Sequence, residues 1–351
     1  MTQNPAGLKT IDHLEFTVDT FASPTLKLFS TMGFVKTAET ADSRLYTQGQ
    51  VRFLVKASPD EGALSRKYFK GHGEGVSKIA FRVESVEKAL DVTLKNGAKL
   101  IQDLKVEETE AGVTRTASIQ GFGDVVNEFV ERPDSEFRPG FKKLETDAEA
   151  RPLRMRVARI DHLTNNVPKG QMDHWVDFYK RTYGFIETRY FDIKGSKTGL
   201  NSKVVQTPDN SIIIPINEPE VENGKSQIQE FLDLHKGPGV QHIALMTPDI
   251  ITTIAELRER DVKFLQVPDT YYEDIPKRPF TVTEDLEVLK RLNLLVDGDK
   301  EGYLLQLFSE TYIGPLFFEY IQRKNHWGFG NGNFQALLDA IERDQMRRGY
   351  L

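Results

Sequence analysis

Cysteine is absent from all 351 residues. That excludes disulfides and thiolate metal sites, and leaves any metal to imidazole, carboxylate, amide and water. Long apolar runs are absent as well: pieces such as SIIIPI, Ser211 to Ile216, fall far short of the roughly 20 residues that span a bilayer. Nor is there a basic excess. The formal net charge is -6 with both signs interspersed, so neither nucleic acid nor a membrane surface is an expected partner. The opening MTQNPAGLKTIDHLEF has neither the basic start nor the apolar stretch of a secretory signal, and a cytoplasmic protein is expected. What remains, 39% hydrophobic residues over this length, suffices for a substantial core in two domains or in one duplicated domain.

Duplication is readable in three matches that follow one another in the same order. IDHLEFTV (Ile11 to Val18) matches IDHLTNNV (Ile160 to Val167), each ahead of a helix-like segment ending in Gly-Phe, at Gly33-Phe34 and Gly184-Phe185. The stretch from Gly75 to Gln102 matches Gly239 to Gln266 without a gap, and EFVER (Glu128 to Arg132) matches EYIQR (Glu319 to Arg323). The displacement grows along the chain, so the second half carries insertions, expected in loops. In each unit a short strand pattern leads into a helix pattern and then into β-rich runs. In one, Val86, Ala89, Leu90 and Leu94 share a helical face that KNG at Lys95 to Gly97 closes. The order is βαβββ four times, an α+β chain. Pro215 predicts an edge or irregular strand. The proline-rich, charged segment Arg132 to Met155 reads as a linker between domains 1–150 and 151–351. Phe334, Leu337, Leu338 and Ile341 predict a C-terminal amphipathic helix.

The repeat also marks chemistry. His162, His242 and Glu319 occupy the first strand of one unit, the first strand of the next and the last strand of that same unit. Only a folded sheet could bring them together. Two imidazoles and a carboxylate on one side of a metal leave open positions opposite, as dioxygen-using non-haem Fe(II) sites require; by spacing alone iron, manganese, nickel and zinc all remain compatible. The equivalents in the first half are His13, Lys78 and Glu128. A lysine ammonium repels a dication, so that half is expected to hold no metal. A single histidine near a strand start is more commonly structural, and it is the repeat that raises these above that background.

The run GYLLQLFSETYIGPLFFEYIQRKNHWGFGNGNFQALLDAIERDQ (Gly302 to Gln345), with KSQIQEFLDLHKGPGVQHIAL (Lys225 to Leu245) and RIDHLTNNV (Arg159 to Val167), closely resembles the 4-hydroxyphenylpyruvate dioxygenase family, over essentially the whole chain. The resemblance implies the vicinal oxygen chelate (glyoxalase-like) fold, with modules paired into two open β-barrel-like domains. It implies one Fe(II) per subunit on His162, His242 and Glu319, and a metal-free first half. It further implies an aryl 2-oxo acid and O2 as substrates and homogentisate and CO2 as products. By the same resemblance Phe308 and Phe334 flank the substrate ring, with Phe317 and Phe329 completing the wall. Ser202, Asn217, Gln227 and Gln241 position the substrate, and Gln306 lies near the metal. Gln241, Gln306 and Phe334 are the expected catalytic residues. Phe334 would open a C-terminal lid helix hinged at Gly328 to Asn333, a segment that also suits a helix cap. Phenylalanines at these positions also suit ordinary core, and Gln227 suits a solvated surface. The stretch SETYIGPLFF before Glu319 is shorter than the family's usual run and lacks its Asp-Arg-Pro sequence.

Rival readings are hydroxymandelate synthase, which acts on the same substrate; an extradiol catechol dioxygenase, with His174 or His235 as its acid/base; and a metal-free binding protein of the same fold. The siteless first half is a candidate surface for homo-oligomerisation, as a dimer or tetramer.

Overall fold

The computed structural model describes residues 4–145, 151–194, 199–220, 226–330, 332, 333, 342, 345, 346, 348 and 349. The expected C-terminal helix, including Phe334, falls mostly outside them. Four βαβββ modules follow in order. The first is β1 (Leu8–Thr17), α1 (Pro24–Thr31), β2 (Val35–Glu39), β3 (Ser43–Gln48) and β4 (Val51–Lys56), followed by α2 (Leu64–His72). The second is β5 (Gly75–Val83), α3 (Val86–Lys95), β6 (Leu100–Thr109), β7 (Gly112–Gln120) and β8 (Val126–Glu131), then a short β9 (Lys142–Lys143). The third is β10 (Arg159–Asn166), α4 (Met172–Tyr183), β11 (Ile186–Lys194), β12 (Gly199–Gln206) and β13 (Ile213–Glu220), followed by α5 (Gln227–His235). The fourth is β14 (Gly239–Met246), α6 (Ile250–Glu259), α7 (Thr270–Asp274), α8 (Leu286–Leu292), β15 (Leu295–Gly298), β16 (Tyr303–Phe308) and β17 (Phe317–Lys324).

Each half is one sheet. The order is β6-β7-β8-β5-β1-β4-β3-β2-β9 in the first and β11-β12-β13-β10-β14-β17-β16-β15 in the second. Two modules join through an antiparallel pair of their first strands, β1 with β5 and β10 with β14. Among the described residues the terminal strands of a sheet do not pair with each other, so each barrel is open.

The repeat recurs in the details of the helices. Ser85 and Asp249 stand at matching positions, and each side chain accepts a backbone N–H at the start of its helix, α3 or α6. The two Gly-Phe marks stop α1 and α4 with left-handed glycines, Gly33 at φ 86° and Gly184 at φ 74°.

Three expectations need correction. Pro215 lies in β13, an interior strand between β12 and β10. Its missing N–H is tolerated because the parallel pairing of β10 with β13 covers only Asn165 with Ile216 and Asn166 with Asn217, one residue past the proline. The segment after Arg132 is more than a linker, since β9 adds to the first sheet against β2. The insertion before Glu319 forms α7 and α8 as well as loop, burying Tyr271, Tyr272, Leu289 and Leu292. The halves pack through Phe53 against Phe318, ring centroids 6.2 Å apart, and Asn127 donates to the Tyr183 hydroxyl at 2.7 Å.

Candidate metal centre

Register alone brings the three donors together. On β14 the residue opposite both His162 of β10 and Glu319 of β17 is Ala244, and His242 lies two positions earlier on the same face. The fully buried Ala244 is small enough to leave room above it. The His162 Nε2 lies 3.1 Å from Glu319 Oε2, His242 Nε2 lies 3.5 Å from that oxygen, and the two Nε2 atoms are 3.4 Å apart. Donors about 2.1 Å from a common ion and at right angles would be ~3.0 Å apart, so this triangle fits one face of a six-coordinate ion. Among the described residues it is the one group of three such side chains with metal-binding spacing.

Both rings are turned for the task by their other nitrogen. Nδ1 of His162 faces Asp161 Oδ2 at 2.8 Å, and Nδ1 of His242 faces Gln241 Oε1 at 2.9 Å. With Nδ1–H donated to these acceptors, the Nε2 lone pairs point at Glu319. Asp161 is held in turn by a two-pronged contact with Arg323, at 2.9 and 2.7 Å. Arg323 also donates to the carbonyls of His326 (3.0 Å) and Gly328 (2.6 Å). This seats Phe329 edge-on over His162, centroids 5.5 Å apart. Asp161 and Arg323 escaped the sequence reading, although both recur in the repeat, as Asp12 and Arg132.

Burial works against a charged His162, but the Glu319 carboxylate and the Asp161 hydrogen bond outweigh it and push the imidazole up to about 9. Glu319, despite burial, is held down at about 2 by His162 and His242. Burial lowers His242 below the ordinary histidine value. Ligation needs neutral imidazole, so an arriving ion must displace the proton that His162 carries throughout the neutral range. Between about pH 6 and 8, uptake of a divalent ion is expected to release one proton and to tighten about tenfold per pH unit. Calorimetric titration in buffers of different ionisation enthalpy measures this directly, and pH-independent binding without proton release would contradict it.

The triad opens on a cleft with about 620 Å³ between its walls, part of it open to solvent. Ser202, Asn217, Gln227, Gln241, Phe308, Phe317 and Phe329, all singled out from the sequence, line it. Ser226 caps α5, which brings Gln227 to the cleft, while Gln229 turns to Asp233. Phe317 lies nearly parallel to the His242 ring, centroids 4.9 Å apart, so it packs on the histidine as well as on the cleft. Gln306 lies outside this lining. Its buried amide is packed under Gly330, where a Cβ would come within 2.5 Å, and its Oε1 has no hydrogen-bond partner among the described residues. Gly330 is left-handed at φ 75°, a conformation glycine takes without steric cost, and a side chain there would also crowd the Gln306 amide. Asn333 accepts a hydrogen bond from the Tyr271 hydroxyl at 2.5 Å. Phe334 is outside the described residues. Unanticipated walls are Thr164, whose hydroxyl is 3.0 Å from His242 Nε2, and Phe191, Ile193, Leu200 and Val204. The short stretch before Glu319 is a tight turn in which Ile313 bridges Leu316, and Ser309 accepts the Phe318 N–H at 2.9 Å.

No third imidazole faces the cleft among the described residues. His174 is exposed on α4, and His326 pairs with Asp299 at 3.2 Å. His235 is buried between the halves, 2.8 Å from the Tyr68 hydroxyl. The acid/base expected of an extradiol enzyme is therefore missing from this cleft.

The first half repeats the geometry with cations in place of a metal. Ala80 is opposite both His13 and Glu128, and Arg132 grips Asp12 while Asp12 faces His13 Nδ1 at 2.8 Å. Lys78 Nζ lies 2.9 Å from Glu128 and 3.5 Å from Glu15. Arg138, from the supposed linker, contacts Glu128 and approaches His13 Nε2 at 3.4 Å. Burial opposes the Glu128 carboxylate, but Arg138 and Lys78 hold it at about 2. Removing one partner of a buried charge cluster costs about 3–5 kcal/mol. Lys78→Met takes from the buried Glu15 its ion-pair partner while Glu128 keeps Arg138; it is expected to destabilise by that order in urea unfolding, and adding Glu15→Gln should recover much of the loss. Equal loss in single and double variants would contradict the pairing.

Residues 2–138 match the family model described as hydroxyphenylpyruvate dioxygenase, N-terminal, and residues 159–274 that of the glyoxalase/bleomycin resistance protein/dioxygenase superfamily. A 4-hydroxyphenylpyruvate dioxygenase of Pseudomonas aeruginosa is 40% identical, over 99% of this chain and 97% of its own length. The chain belongs to the 4-hydroxyphenylpyruvate dioxygenase family. The protein named hemolysin VllY of Vibrio vulnificus is 42% identical over 99% of this chain and 98% of that one. A solved structure of a triply substituted 4-hydroxymandelate synthase from Streptomyces coelicolor covers 97% of this chain and 99% of its own, with a TM-score of 0.85 and 26% identity. The glyoxalase superfamily fold is thereby shown, and family membership makes this a metal-dependent enzyme acting on a small molecule. No helix among the described residues is long and apolar enough to cross a membrane.

Proposed function

We propose that this chain is an Fe(II)-dependent 4-hydroxyphenylpyruvate dioxygenase, converting 4-hydroxyphenylpyruvate and O2 to homogentisate and CO2. The observation that carries the reading is the convergence of His162, His242 and Glu319 at one end of an apolar cleft dotted with amides. One Fe(II), held by these three, would supply two-point attachment for a 2-oxo acid and activation of dioxygen at the positions left open.

The rest is done by side chains. Phe308, Phe317 and Phe329 offer apolar surface to the aromatic ring and keep water from the reacting centre. Ser202, Asn217, Gln227 and Gln241 offer neutral hydrogen-bonding groups, which orient an anionic substrate without adding a competing charge. Gln306, beneath Gly330, braces the segment that leads to Phe334, the residue assigned to close over the ring. Residues 151–351 form the catalytic part and 1–150 a metal-free copy, in a cytoplasmic homo-oligomer.

Purified protein incubated with Fe(II), ascorbate and 4-hydroxyphenylpyruvate in air should yield homogentisate by chromatography. Hydroxymandelate would assign the chain to the benzylic hydroxylation of the synthase instead.

A further inference from the structure

Each half is a control for the other. Side chains that the fold requires recur at matching positions, as the Asp12–Arg132 and Asp161–Arg323 pairs do. Side chains carried by one half alone answer to something that half alone does, as Lys78 and Arg138 do in neutralising Glu128. Three of the four arginines lining a single cleft are of that second kind.

Arg52 on β4, Arg82 on β5, Arg132 just after β8 and Arg159 at the start of β10 face a cleft where the halves meet, with about 730 Å³ of space, part of it open to solvent. In the other half, strand register places Ile213 where Arg52 stands, and the sequence matches place Met246 for Arg82 and Thr10 for Arg159. The cleft has two carboxylates. The buried Asp12 is already engaged by Arg132 at 2.9 Å and His13 at 2.8 Å. Asp134, 97% exposed at the rim, pairs with Arg82 at 3.1 Å. Arg52 donates to the Gln50 carbonyl at 3.2 Å, and neither it nor Arg159 has a carboxylate partner among the described residues. Burial, and then the Arg132 and Arg82 charges, depress the Arg52 guanidinium against the pull of Asp12. Four guanidiniums against two carboxylates leave a net positive cleft, and unclaimed planar forks suit a tetrahedral oxyanion.

We propose that this cleft is a binding site for a small dianion of the phosphate class, held by Arg52 and Arg159 and bridging the two halves. Inorganic phosphate is the probe. Calorimetry should give saturable binding at one site per chain, and thermal unfolding should shift upward relative to chloride at equal ionic strength. Arg52→Ile with Arg159→Thr, the residues of the other half, should weaken binding by at least about tenfold while Fe(II)-dependent turnover persists, since neither residue lines the metal cleft. Should the double variant fail to fold, Arg159→Thr alone gives the same reading at a half-buried strand end. A phosphate response no different from chloride, or one undiminished in the variants, would overturn the assignment.

Discussion

His242→Ala is expected to abolish homogentisate formation, by more than the ~10–100-fold typical of groups that merely support a ligand. His242 Nε2 is one of three donors and the only one on the central strand β14, and two donors on the flanking strands cannot hold an ion with comparable affinity. The fold should survive. His162 and Glu319 keep their own 3.1 Å pair, and the alanine opens a cavity at the end of a cleft that already admits solvent. Elemental analysis after anaerobic loading and desalting should find the variant without iron, with a circular dichroism spectrum like the parent's. A variant retaining both iron and turnover would remove His242 from the site.

The second large effect is expected at Arg323. Its guanidinium grips Asp161, which orients His162, and the same group holds the carbonyls of residues 326 and 328, which seat Phe329 over that ring. Arg323→Met leaves Asp161 buried without its cation, a loss of about 3–5 kcal/mol, and should weaken metal binding about 10–100-fold. Arg323→Lys restores the charge but cannot reach all four contacts, so it should recover stability more than metal affinity. Trp327, whose ring lies 5.6 Å from the guanidinium, gives an independent fluorescence readout of this segment. Arg132→Met makes the equivalent cut in the first half and should cost similar stability with metal affinity unchanged. Equal effects on metal affinity from the two substitutions would break the proposed link.

Much of this site could be read from the sequence because the repeat acts as an alignment of the chain with itself. Matching strand starts picked out His162 and His242, the last-strand match picked out Glu319, and the Lys78 mismatch marked the other half. Strand alternation did the rest, through Ala244 and Ala80 at equivalent places. What escaped depended on contacts between residues far apart. Arg138 looked like linker because nothing in FRPGF says that its guanidinium enters a buried carboxylate cluster. Pro215 misled because strand order, and where a parallel ladder begins, are not local properties. Gln306 alternates with Phe308 on β16, yet the left-handed turn at Gly330 covers it and keeps it out of the cleft lining. The helices before β15 were missed because the displacement between repeats reveals an insertion's length but not its pattern.

Crystals loaded with Fe(II) under anaerobic conditions and measured at the iron absorption edge test the central claim most directly. The account predicts one anomalous peak per chain, within about 2.0–2.4 Å of His162 Nε2, His242 Nε2 and a Glu319 carboxylate oxygen, and none near Lys78 and Glu128. A peak held by other residues, or a second one in the first half, would contradict it.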